Sequence, residues 1–152
     1  MITWQCLPFT GLTTHQLYEL LKLRVDVFVV EQACAYPEID NKDAQPGVWH
    51  LLGYQEQSLV AYARLLAPGI SYPSVSIGRV ATQQQARGNG LGRKLLEQAL
   101  AECQHQWPDK DIEIGAQHYL ADFYQGYGFQ PTSDVYLEDG IPHLDMRLAK
   151  VT

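Results

Sequence analysis

Leu17, Leu20, Leu21, Arg24 and Phe28 fall on one stripe at helical spacing. Just ahead of them, Thr13-Thr14-His15-Gln16 has the T-x-x-Q form of a capping box, in which hydroxyl and amide each satisfy the other residue's backbone N–H. A helix is therefore predicted near the start. It carries an arginine on its apolar face, and an unpaired buried guanidinium is costly. Glu31, Asp26 or the acids between Tyr36 and Asp43 are the expected partners of Arg24. Trp49–Tyr54 and Leu59–Leu65 then read as strands joined by a polar turn, and Val75–Thr82, small or polar alternating with apolar, reads as a third.

Gly92, Leu95, Leu96, Ala99, Leu100 and Cys103 recur at i, i+3, i+4, i+7, i+8 and i+11, one face of an amphipathic helix running from Gly90 to His105 and stopped by Pro108. A strand Asp111–Ala116 follows, then a short helix Tyr119–Tyr127 with Gly128 as its positive-φ stop. Val135–Leu137 and His143–Leu148 form a closing hairpin around Asp139-Gly140. A helical opening, a meander, then alternating strands and helices predict an α+β fold: a single mixed, mostly antiparallel central sheet flanked by helices.

At 152 residues and 46% hydrophobic content the chain is expected to form one domain, 1–152. The N-terminus lacks a basic, apolar leader and no apolar run approaches the ~20 residues of a membrane span, so a cytoplasmic protein is expected. Cys6, Cys34 and Cys103 show no C-x-x-C spacing and suit reduced thiols. His15, His50, His105, His118 and His143 lack zinc-like spacing, and no metal is expected.

Charge changes the picture. The chain has net charge −6, yet Gln57 to Leu96 contains no acid and ends in Ala86-Arg87-Gly88-Asn89-Gly90-Leu91-Gly92-Arg93-Lys94. A glycine loop opening a helix offers unpaired N–H groups and the positive end of the macrodipole to an anion. Arg93 and Lys94 in the first turn oppose that dipole, which a bound anion would resolve. A Walker A loop needs a hydroxyl after its lysine, and a dinucleotide fingerprint needs G-x-G-x-x-G; neither is present.

Arg87-x-x-Gly90-x-Gly92 instead resembles the pyrophosphate loop of the GNAT acetyltransferase superfamily, Q/R-x-x-G-x-G/A, and Tyr124-x-x-x-Gly128-Phe129 resembles its later Y-x-x-x-G-F motif. Leu23 to Gln32, the acidic stretch Pro37 to Asp43, His50, and Glu138 to His143 are similar to the ElaA-type branch, so the likeness runs from Met1 to about Leu148. It implies a sheet whose two central strands splay apart around the pantetheine arm of acetyl-CoA. It also implies roles. Backbone N–H groups of Arg87, Gly88, Asn89, Gly90, Leu91 and Gly92, with the side chains of Arg87, Arg93 and Lys94, would hold the pyrophosphate. Main-chain groups of Val80, Ala81 and Thr82 would pair with the pantetheine, and Gln117 would lie near the cofactor. Tyr124 would protonate the leaving thiolate, and an N–H near Val80 would meet the oxyanion. The acceptor would be an amine on a small molecule, peptide or protein. Net charge −6 argues against nucleic acid; no membrane partner is expected, and oligomeric state is open. Glu31, Asp40, His50, His118 and His143 stand as candidate bases. A non-catalytic acyl-CoA sensor and a transferase using another acyl donor are the alternatives.

Overall fold

The computed structural model describes residues 1–150. Strand β1 (Ile2–Pro8) leads through a short turn into α1 (Thr14–Arg24). Thr13 caps it as expected: its Oγ1 accepts from the Gln16 N–H at 3.0 Å, and the Gln16 side chain accepts from the Thr13 N–H at 3.0 Å. The helix then widens into a π-helical segment, Val25–Glu31. Leu20, Leu23, Arg24 and Val27 are the buried positions, while Leu17, Leu21 and Phe28 pack at the margin.

Next come β2 (Val48–Gln55), β3 (Ser58–Leu66) and β4 (Val75–Thr82), the predicted meander. Helix α2 (Leu91–Gln106), β5 (Ile112–Gln117), α3 (Ala121–Gln125), β6 (Gln130–Pro131), β7 (Tyr136–Glu138) and β8 (Ile141–Leu148) complete the chain. One eight-stranded sheet runs β1-β2-β3-β4-β5-β8-β6, with β7 on β8. Every pairing is antiparallel except β4 with β5. The fold is thus the expected mixed, mostly antiparallel sheet with helices on its faces. The opening differs: a strand, not a helix, comes first. Ile2, Trp4 and Cys6 alternate inward with exposed Thr3 and Gln5, a period-2 pattern too short to separate from a loop in the sequence.

The sheet divides two cores. On one face α2 buries Leu91, Leu95, Leu96, Ala99 and Cys103 against β3, β4, β5 and β8; on the other, α1 packs Leu20, Leu23 and Val27 against Leu52, Leu59, Tyr62 and Ala81. The centre of the sheet is only half sewn. β4 and β5 pair at Val75–Ile112 and Ser76–Glu113 and then part. The cause lies in β4: the β3–β4 register slips between Tyr62 and Arg64, leaving Arg79 and Val80 opposite the single residue Ala63, and Arg79 adopts φ 52°. Such a bulge bends its strand. From Ile77 onward, β4 turns away and the sheet opens.

Candidate active site

The opening leads into a cavity of about 650 Å³ walled by β4, β5, the π-helical segment, the loop from Cys34 to Lys42 and the β7–β8 turn. Its wall includes Val80, Thr82, Arg87, Gly92, Gln117 and Tyr124, all of which the sequence motifs single out. Gly88, Asn89, Gly90, Leu91 and Arg93 lie outside the wall, in the loop and helix start that follow Arg87. Ala81 and Leu91 turn their side chains into the two cores, so only their main chains are available to a ligand.

Local chemistry explains the loop. Gly88 (φ 106°) and Gly90 (φ 72°) occupy the left-handed region, and Gly90 is the N-cap of α2 with no side chain to cap it. Among the described residues, the N–H groups of Gly88, Asn89, Gly90, Leu91, Gly92 and Arg93 find no acceptor. The Arg93 guanidinium folds back over Gly90, where an added Cβ would lie 3.1 Å from it. This is the donor set and charge that a diphosphate requires. Arg87 is committed elsewhere: it grips Glu31 through two bonds of 2.7 and 3.0 Å and donates to the Thr82 hydroxyl at 3.0 Å and the Thr82 carbonyl at 2.8 Å. Glu31 is therefore not the partner of Arg24, and the Thr82 carbonyl already has a donor. Asp26 is not that partner either, being bound by Lys22 at 2.7 Å.

Tyr124 sits in α3, which ends in a Schellman motif: Phe129 N–H donates to the Tyr124 carbonyl at 3.2 Å, and Gly128 N–H to Gln125 at 3.0 Å, with Gly128 at φ 98°. Phe129, fully buried, packs edge-on against the Tyr124 ring. The Tyr124 hydroxyl has no hydrogen-bond partner among the described residues, and burial, with the nearby Tyr119, pushes its pKa up to about 12. A phenol in that state is a proton donor, not a base. Gln117, at the end of β5, exchanges amide hydrogen bonds of 3.2 and 3.3 Å with Gln32 across the cavity.

A charge network reaches the cavity wall through Asp40, Arg64 and Arg79; the motifs indicate only its Arg24 and the acids between Tyr36 and Asp43. Arg24, with no exposure, donates to Glu38 Oε2 at 2.6 Å, Asp43 Oδ1 at 2.7 Å and the Glu38 carbonyl at 3.2 Å. Arg64 binds Asp40 through two bonds of 2.7 and 2.9 Å and Asp43 at 3.0 Å. Arg79 binds Glu38 at 2.8 Å and Asp40 at 3.3 Å, which holds its positive φ in place. Three cations meet three anions. His50 seals the far end: its Nε2 donates to the Asp43 carbonyl at 3.0 Å, so its Nδ1 accepts from the Tyr62 hydroxyl at 2.6 Å, and burial lowers its pKa. A signal for this network was present: Arg64 interrupts the otherwise apolar run Leu59 to Leu66.

Comparison with known proteins fits this geometry. The family model for the acetyltransferase (GNAT) domain matches residues 20–150. The chain belongs to the GNAT acetyltransferase family. Its relatives include the protein ElaA of Escherichia coli K12, 47% identical over 146 residues that cover 96% of this chain and 95% of ElaA. A solved acyl-CoA N-acyltransferase from Pseudomonas aeruginosa superposes with TM-score 0.94 at 44% identity, covering 98% of this chain and all of that one. The crystal structure of Escherichia coli ElaA superposes with TM-score 0.91 at 46% identity over 97% of this chain and 99% of that one. Family members are acyltransferases that use an acyl-CoA as co-substrate and act on amine acceptors. No helix among the described residues is long and apolar enough to cross a membrane.

Proposed function

We propose that this GNAT protein is an N-acetyltransferase that passes the acetyl group of acetyl-CoA to an amine by direct attack, within one domain. The observation that carries the reading is the pairing of the two ends of the gap. At one end is a glycine loop with N–H groups lacking acceptors among the described residues, and at the other a buried phenol with no hydrogen-bond partner among them. A non-catalytic binding module has use for the first but none for the second.

When bound, acetyl-CoA supplies an activated thioester, and the chain supplies position and protons. The N–H groups from Gly88 to Arg93, with the Arg93 and Lys94 side chains, hold the pyrophosphate; Arg87 serves by bracing Glu31 and Thr82 at the loop's base, or joins once it leaves them. Main-chain groups of Val80, Ala81 and Thr82, on the β4 edge that β5 leaves unpaired, receive the pantetheine as if it were another strand. An N–H at the Val80 bulge stabilises the oxyanion. Gln117 and Gln32 close the cofactor side against solvent, and Tyr124 protonates the departing sulfur.

The test is thiol release from acetyl-CoA in the presence and absence of a panel of primary amines. Release that depends on the amine, with acetylated amine as product, is expected. Absence of release, or release indifferent to amine, contradicts the reading.

A further inference from the structure

Direct attack requires a neutral amine, and an alkylamine with a pKa near ~10 is mostly protonated at neutral pH. β4, which precedes the glycine loop, contains no acid. Four of the groups chemically able to take the proton are disqualified by their surroundings. Glu31 is gripped through both oxygens by Arg87. For Asp40, burial works upward, but hydrogen bonds and charge from Arg64, the Lys42 N–H and Arg79 prevail and hold it at about 2. His50 is fully buried with both nitrogens bonded, and neither it nor His118 reaches the cavity wall.

His143 differs on each count. It stands on β8 directly across from Gln117 of β5, and cross-strand partners point to the same face. That is the face of the gap on which Gln117 meets Gln32, opposite the core that holds Tyr124. The ring lies in the cavity wall. Its Nδ1 is 2.7 Å from the Ile141 carbonyl, which can only accept, so Nδ1 carries the hydrogen and Nε2 is left with its lone pair. Nε2 lies 3.5 Å from Glu138, an ion pair that forms only once the ring is protonated, and Tyr136 stacks on the ring at 6.1 Å.

We propose that His143 Nε2 is the general base that deprotonates the acceptor amine, with Glu138 as the residue that positions and steadies its protonated ring. The inference rests on the acetyltransferase reading above. The ammonium gives one proton to Nε2, and the freed electron pair forms the C–N bond. The C–S bond breaks, and sulfur takes the proton of Tyr124. A second amine proton restores the phenol, and His143 releases its own to solvent. One ammonium and one thioester thus yield an amide, a thiol and one proton. The titratable groups on elements packed against the ring are Tyr136 and Glu138 of β7, Asp139 of the turn and Asp145 of β8; β5 brings only neutral Gln117 to that position. Asp145 accepts from the Tyr72 and Tyr136 hydroxyls at 3.0 and 2.7 Å.

His143→Gln is the test, with acetyl-CoA and a set of primary amines comprising ethylamine, spermidine and a lysine-containing peptide. The variant should lose about 100-fold or more in turnover, the scale of a removed base, and lose the acidic limb of the pH–rate profile. Acetyl-CoA affinity and the melting curve should stay as in the wild type. Trifluoroethylamine, already neutral at pH 7, should lose far less than ethylamine. Glu138→Gln, at an exposed site, should move the acidic limb to lower pH with the fold untouched. In the unliganded wild-type protein, nitrogen NMR of the imidazole should show the Nδ1–H tautomer. An Nε2–H tautomer, or equal pH profiles for wild type and His143→Gln, overturns the base while leaving the transferase reading intact. Absence of any amine-dependent transfer by the wild type overturns both.

Discussion

Arg24 enters the interior with no solvent exposure, and its helix tolerates it because Glu38 and Asp43 reach it from a loop 14 and 19 residues further on. Removing one partner from such a set strands the others in low dielectric. Arg24→Ala should therefore cost about 3–5 kcal/mol, read as a shift in the denaturant midpoint; an unshifted midpoint would mean that the acids find other partners. The need for a partner was legible at this scale, because a guanidinium on an apolar stripe has to be neutralised. Its identity was not. Five acids from Asp26 to Asp43 lay within reach along the chain, and the nearest, Asp26 and Glu31, are taken by Lys22 and Arg87, the second across 56 residues.

At the scale of elements, the glycine loop, α3 and its Gly128 stop were readable because their chemistry is local: positive φ, a helix N-terminus, a Schellman pair. The π-helical segment was not, because Val25, Val27, Val29 and Val30 suit either helix width and only packing chooses. The bulge in β4 was equally hidden, since the charges that hold Arg79 come from a distant loop. Its backbone strain can be separated from those contacts. Arg79→Ala and Arg79→Gly both remove the guanidinium, but only glycine is at ease at φ 52°, so the glycine variant should be the more stable by about 1 kcal/mol. Equal stability would place the strain elsewhere. In the loop, Gly90→Glu sets a strained residue and a carboxylate where phosphate oxygens would bind. Calorimetry should show acetyl-CoA affinity reduced about 10-fold or more, given the charge and geometry lost, and unchanged affinity would contradict the loop's role.

Over the whole molecule, the acidic balance is organised. The acids from Glu38 to Asp43 neutralise Arg24, Arg64 and Arg79, and Glu31 neutralises Arg87, which leaves Arg93 and Lys94 without an ion pair among the described residues, beside the glycine loop. The same arrangement sets the response to pH. Burial depresses His50; the arginines, outweighing burial, depress Asp40 and Asp43. In each case the unfolded chain takes up the proton first. Stability should be complete above the ordinary histidine value near ~6.5, decline as pH falls below it, and decline more steeply from ~4 towards 2 as the carboxylates titrate. Urea midpoints measured from pH 8 down to pH 3 should trace that fall, and a flat profile would mean that the network does not stabilise the fold.

The proposed function places a thioester in the opening between β4 and β5, with its sulfur beside the phenol of Tyr124. The most direct measurement is turnover of Tyr124→Phe beside the wild type at saturating acetyl-CoA, with cofactor affinity measured in parallel. Loss of the proton donor should lower turnover by about 100-fold or more with affinity within about a factor of two. Equal turnover in the two proteins would contradict the account.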